Sequence, residues 1–93
     1  MPADERLRAV RTKFIDRVSE PNLDSLLLQL GDLKVINSRE EEAVKDITLR
    51  PDKATKLIDM VINKGPDASS HMITILCELD EFLSAHLKLH NRR

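Results

Sequence analysis

Tryptophan and tyrosine are absent from the sequence, and two phenylalanines are its only aromatics. Any core must therefore be built from leucine, isoleucine and valine. Two glycines and four prolines leave too few turn-formers for the many tight reversals of an all-β fold. The single cysteine, Cys77, permits no internal disulfide, which suits a reducing compartment. No stretch approaches the roughly 18 apolar residues of a membrane-spanning helix. Asp4, Glu5, Arg6 and Arg8 interrupt any signal-like opening. The expected location is cytoplasmic.

Catalytic and metal-binding patterns are also missing. There is no Gly-rich phosphate loop, HExxH or GxSxG sequence. Cys77 and His71 are six residues apart, about 240° around a helix, so their side chains diverge. His86 and His90 could share a helix face, but no third ligand accompanies them. The sequence therefore predicts neither enzyme activity, nor a metal, nor a cofactor. A net charge of −1 argues against a nucleic-acid partner.

What is present is helical periodicity. Apolar residues make up 41% of the chain and charged residues 33%, the balance of a small bundle with a solvated shell. Ninety-three residues suit one domain burying about 60–70% of its unfolded surface; residues 1–90 are assigned to it, with a frayed 91–93 tail. Ala54, Leu57, Ile58 and Val61 recur at the spacing of one helix face. Pro51 opens that helix, where its missing N–H costs nothing. Gly65 suits a left-handed cap, and Pro66 stops continuation. Lys53, Lys56 and Lys64 fall on one flank of the apolar stripe.

Five other helices are expected. Leu7, Val10, Phe14 and Val18 make the first stripe, with Ile15 at its edge. Arg11 falls inside it, so it must snorkel, find an acidic partner, or be released by a bend. Pro21-Asn22 breaks the pattern, with Asn22 as N-cap. Leu23, Leu26, Leu27 and Leu30 follow, broadened by Leu28 and Leu33 into a wide, covered helix. Asn37-Ser38-Arg39-Glu40-Glu41 carries overlapping capping boxes, Asn37 with Glu40 or Ser38 with Glu41. Ala43, Val44 and Ile47 then face inward. Ala68, Met72, Ile75, Leu76 and Leu79 form a fifth stripe. Asp80 caps a last helix holding Phe82, Leu83 and Leu87.

Charge alternates along the chain. Residues 1–20 carry five basic and four acidic groups, residues 21–48 three and six, and residues 49–64 four and two. The basic groups fall mainly on helices one and four, the acidic ones on helices two and three.

Several spaced segments together resemble the caspase recruitment domain: Arg11-Thr12-Lys13-Phe14-Ile15, Leu26-Leu27, Lys34-Val35-Ile36-Asn37, Asp52 to Asp59, and Val61-Ile62-Asn63-Lys64-Gly65. Ile75-Leu76-Cys77-Glu78 and Leu83 to Leu89 extend the match, which runs over roughly residues 5 to 90. The look is that of inflammatory caspase prodomains and of decoys consisting of little but this domain. The resemblance implies the death fold, an all-α, six-helix antiparallel Greek-key bundle, often with a bent first helix. It also implies homotypic binding between a basic patch, Arg8, Arg11, Lys53 and Lys56, and an acidic patch, Asp24, Asp32, Glu41 and Glu42, of the next copy. Contact would then be head-to-tail, and an unclosed contact of that kind builds a filament. The implied partners are other caspase recruitment domains, on a caspase, adaptor or nucleotide-binding receptor, in inflammasome or apoptotic signalling. Two alternatives are an inhibitory decoy and a sensor of acidic lipids using Lys53, Lys56 and Lys64. The chain departs from the family at Leu28, where an acid is usual, and at Thr55, where a base is usual. On this reading Lys53→Glu with Arg11→Glu leaves the fold intact and abolishes self-assembly.

Overall fold

Each apolar stripe folds into a helix in the computed structural model, which describes residues 1–89. The elements are α1 (Ala3–Arg17), α2 (Glu20–Asp32), α3 (Ser38–Lys45), α4 (Arg50–Lys64), α5 (Pro66–Leu79) and α6 (Glu81–His86). The linkers are short: 18–19, 33–37, 46–49, then Gly65 and Asp80 alone. α1 packs on α4 and α5, α2 on α5 and α3, and α6 on α5.

The core forms where the stripes meet. Leu7 and Phe14 of α1, Leu23, Leu26, Leu27 and Leu30 of α2, Leu57, Ile58 and Val61 of α4, and Met72 and Leu76 of α5 are all buried. Each contributes about 1.5–3 kcal/mol of transfer free energy, before conformational entropy is subtracted. Val10 and Ile15 pack against this core only in part.

Helix ends are set by local chemistry. The Asn37 side chain accepts from the Glu40 N–H at 2.8 Å, and Glu40 accepts from the Asn37 N–H at 3.0 Å, completing the first of the two predicted boxes. The Asp80 carboxylate accepts from the Leu83 N–H at 2.9 Å. Asn22, however, is not a cap. Ser19 takes that role, accepting from the Asn22 N–H at 3.3 Å. Pro21 lies inside the first turn of α2, where no acceptor awaits its nitrogen. The freed Asn22 amide donates to Asp80 at 2.9 Å, tying the start of α2 to the start of α6.

α2 ends one residue beyond Gly31, at Asp32. Lys34, at φ +64, turns the chain; its N–H reaches Gly31 O and the Val35 N–H reaches Leu30 O. This is a Schellman closure with lysine in the left-handed position. Lys88, at φ +59, repeats it after α6, with N–H groups of Lys88 and Leu89 reaching Ala85 O and Ser84 O. Gly65 sits at φ +107 and ψ −173. That is outside the left-handed helical well and essentially glycine-only, and it lets α5 start one residue after α4 stops.

Several apolar positions of the helices are left uncovered. Leu28 and Leu33 are 54% and 52% exposed, and Phe82 is 92% exposed. Ala43 is exposed as well. α3 and α6 are short helices, each turning a narrow face inward through Val44 and through Leu83 respectively. α1 runs without interruption from Ala3 to Arg17, with Arg11 half-buried along it. The expected 91–93 tail and His90 lie outside the described residues.

Candidate protein-docking surfaces

Arg11 resolves itself by pairing. Its Nε and Nη2 donate to Asp59 Oδ1 and Oδ2 at 2.6 and 2.9 Å, a two-pronged link from α1 to α4. Such a fork is the strongest geometry an arginine and a carboxylate can adopt. The hydrogen bond from Arg11 holds the Asp59 carboxyl below the usual carboxylate range against the opposing effect of burial, helped by the charges of Arg11 and Arg8. The same hydrogen bond and charge raise Arg11. Arg8 is exposed and lies close enough to act on Asp59. Lys56, also exposed, opens onto a groove of about 330 Å³ that it shares with Glu40, Asp59, Met60, Asn63 and Lys64. Arg11 and Arg8 thus act on one carboxylate, and Lys56 opens onto the groove that this carboxylate lines.

Lys53 does not join them. It is buried, with Nζ 3.3 Å from Glu20 Oε2 and 3.5 Å from Asp24 Oδ1. Burial alone would lower its pKa, but the hydrogen bonds and charges of Glu20 and Asp24 outweigh that and raise it. The expected basic and acidic patches therefore touch inside one molecule, Lys53 of the first bonded to Asp24 of the second. The double reversal at Lys53 and Arg11 would put acid against acid at both places, so it perturbs the fold rather than leaving it intact. The three-lysine flank is likewise not one free surface: Lys53 faces α2, and Lys64 pairs with Glu40 at 3.0 Å.

The acidic set divides similarly. Glu41 is half-buried, pairs with Lys45 at 3.2 Å and packs over Gly31. A β-carbon on Gly31 would lie 2.5 Å from Glu41 Oε1, so α3 approaches α2 where no side chain intervenes. That approach sets Glu41 beside the last turn of α2, while Asp32 in that turn and Glu42 on α3 are exposed. Among the described residues Arg8, Lys56, Asp32 and Glu42 hold no ion-pair partner, whereas Arg11, Lys53, Asp24 and Glu41 do.

Asp59, Glu20 and the Glu40–Lys64 pair went unnoticed in the sequence. So did Arg50, whose Nη1 donates to Ile15 O at 2.6 Å and Val18 O at 3.0 Å and closes the end of α1. Nothing local could have revealed these, since each joins residues at least 24 positions apart. Cys77 packs at the core edge, and His71 and His86 are exposed. Among the described residues no helix is long and apolar enough to cross a membrane.

Six helices packed around one core, with no strand among the described residues, have the architecture of a death-fold domain. The sequence matches the family model for the caspase recruitment domain over residues 4–90, and the chain belongs to that family. It is 41% identical over 91 residues to Caspase-1 of Mus musculus, covering 96% of this chain and 22% of that protein. It is 37% identical over 89 residues to human caspase recruitment domain-containing protein 18, covering 95% of this chain and 99% of that protein. The solution structure of ICEBERG, an inhibitor of interleukin-1β generation, superposes with a TM-score of 0.83 at 35% identity, over 90% of this chain and 96% of that one. The chain thus spans about a fifth of the length of the Caspase-1 relatives it matches. The domain itself is a non-catalytic interaction module.

Proposed function

We propose that the chain recruits and clusters a caspase or another signalling protein by binding that partner's caspase recruitment domain. The observation that carries this is the separation of unpaired charge: Arg8 and Lys56 on α1 and α4, Asp32 and Glu42 on α2 and α3. Because the two signs occupy different elements, a copy can be engaged at both faces at once. Contact is then heterologous and extends into a filament unless the rotation closes. Complementary charge sets encounter rate and selectivity more than affinity. The work of such a module is to raise the local concentration of whatever is attached, as a prodomain does for a protease. A single cysteine and the family's signalling role support action in the cytosol.

Co-sedimentation of the purified chain with a Caspase-1 recruitment domain tests this. Arg8→Glu and Glu42→Arg each keep the wild-type circular dichroism and thermal midpoint, yet each weakens co-assembly. Normal co-assembly by both variants would refute the assignment of faces. Raised salt weakens assembly by the wild type as well.

Similarity to ICEBERG, which is described as an inhibitor, favours a second reading: the chain caps a partner's growing assembly instead of extending it. Substoichiometric addition to an elongating Caspase-1 recruitment domain, followed by light scattering, separates the two. Capping slows elongation at low ratio, whereas recruitment accelerates it.

A further inference from the structure

The chain has two aromatic residues and uses only one of them for its core. Phe14 is fully buried, whereas Phe82, in the first turn of α6, is 92% exposed. Its ring is the largest apolar group that the described surface leaves in water. The acidic residues just before it differ in availability. Asp80 is occupied, accepting from the Leu83 N–H and from Asn22 at 2.9 Å each. Glu78 and Glu81 are exposed and form no ion pair among the described residues. Phe82 is thus an aromatic knob with negative charge beside it.

At the other end of α6 lies a hollow of matching character. It encloses about 500 Å³, and its lining includes Arg6, Ala9 and Val10 of α1 and Leu87, Lys88 and Leu89 after α6. No carboxylate lines it among the described residues. Its walls are fixed. Arg6 Nη2 donates to Leu89 O at 2.7 Å, tying α1 to the end of the turn. Lys88, at φ +59, reverses the chain there. Leu87 and Leu89 are buried, and Val10 rests partly on the core. The Arg6 guanidinium keeps further donors beyond its one bond to Leu89, and Lys88 is exposed. The hollow is therefore apolar inside and positive at its edge. The residues next in sequence, His90-Asn91-Arg92-Arg93, carry more cations and no aliphatic side chain, so their chemistry does not suit it.

We propose that a second copy of this chain fills the hollow with its Phe82, in a closed, two-fold dimer built on α6. The ring enters between Val10 and Leu89, and Glu81 meets Lys88 and Arg6 at the edge. Knob and hollow belong to one short element, about 9 Å long at 1.5 Å per residue. Setting two α6 helices antiparallel brings the start of each against the end of the other. Both rings are then seated at once, and neither copy keeps a free knob or hollow. Such a contact is isologous and stops at two. It differs in that respect from the charged faces of α1, α4, α2 and α3, which it does not use. Each ring buries about 150–250 Å², so the contact falls at the small, transient end of protein interfaces. An aromatic anchor in an apolar pocket with charge at its rim is the usual centre of such a contact.

Size-exclusion chromatography with light scattering, up to about 1 mM chain, tests this. It is run on the wild type and on Arg8→Glu, which weakens assembly through the other faces. The mass of the Arg8→Glu protein rises with concentration and levels off at two copies. Adding Phe82→Ser weakens that dimer at least tenfold and keeps the thermal midpoint, since the ring supports nothing in its own fold. Glu81→Lys and Lys88→Glu each weaken it, and the two together restore it. Phe82→Ser alone leaves co-sedimentation with a Caspase-1 recruitment domain unchanged. An Arg8→Glu protein that stays monomeric, or whose mass climbs past two copies, overturns the closed dimer. So does a Phe82→Ser protein that dimerises normally. Loss of Caspase-1 domain binding by Phe82→Ser would place the ring on the docking faces and overturn the separate contact as well.

Discussion

Lys53 gives the sharpest test of how this domain divides its charges between shape and binding. Its side chain is only 9% exposed, while those of Glu20 and Asp24 are 48% and 57% exposed. Lys53→Met keeps the stem that packs between α2 and α4 and deletes the ammonium. Ion pairs whose carboxylates face solvent are each worth about 0–1 kcal/mol, and the methionine avoids the cost of holding a charge in a buried place. The expected net loss is at most about 1 kcal/mol. Lys53→Glu is different in kind. It removes both attractions, sets a third carboxylate against two others, and is too short to carry its charge to water. A like-charge pair at 4 Å costs about 1 kcal/mol in water and about 4 kcal/mol at the effective dielectric of a protein surface. With the half-exposed partners screening much of this, the expected loss is about 2–4 kcal/mol. At about 4–8 °C per kcal/mol for a domain this size, the two substitutions separate clearly in thermal unfolding followed by circular dichroism. Equal midpoints for Lys53→Glu and wild type would refute the buried strut and return Lys53 to the solvent-facing basic patch.

Four other outcomes follow from local structure. Gly65→Ala forces a side chain into backbone at φ +107 and costs about 1–3 kcal/mol in urea unfolding. Lys34→Gly has the opposite sign: it relieves a left-handed lysine and gains about 0.5–1 kcal/mol, seen as a midpoint several degrees higher. Asn37→Ala removes one half of the capping box on α3 and costs about 1 kcal/mol. Stability against pH is flat through neutrality and falls below about pH 4. Asp59 and Glu40 are both held below their ordinary values, by Arg11 and by the Asn37 N–H with Lys64 respectively, so their stabilisation is present at neutral pH and is lost as acid titrates them. Lys53 is raised, so its contribution disappears only on the alkaline side, above its ordinary 10.5. Asp59→Asn flattens the acid limb.

The helices were legible in the sequence because their cause is local and repetitive. Leu23, Leu26, Leu27 and Leu30 cannot share one side of the chain in any other regular structure, and all four are buried. The caps at Asn37 and Asp80 were legible for the same reason, since donor and acceptor lie within three residues. Pro21 interrupts the apolar pattern but not the helix: like Pro51, it sits in a first turn, where a missing N–H costs nothing. Lysines 34 and 88 hide their positive φ, because the sequence shows no glycine where the chain turns. Phe82 is left exposed because α6 is too short to bury more than the Leu83 side of itself.

Charge was legible in sign and illegible in availability, and that gap bears on function. Half of the eight residues expected to meet a partner already have one in their own chain: Arg11, Lys53, Asp24 and Glu41. Every one of those contacts except Glu41–Lys45 joins different helices, so sequence spacing carries no trace of it. A paired group leaves its partner exposed to desolvation when it is mutated, which appears as lost stability. An unpaired group on the surface costs the fold little and can only be missed by a binding partner. Substitution should therefore sort the eight into two sets of four. Reversals at Arg11, Lys53, Asp24 and Glu41 lower the unfolding midpoint, and any loss of assembly follows from that. Reversals at Arg8, Lys56, Asp32 and Glu42 leave the midpoint in place and act on assembly alone. A charge that moved both readouts equally would belong to neither set, and the division of labour between holding shape and holding partners would fail at that residue.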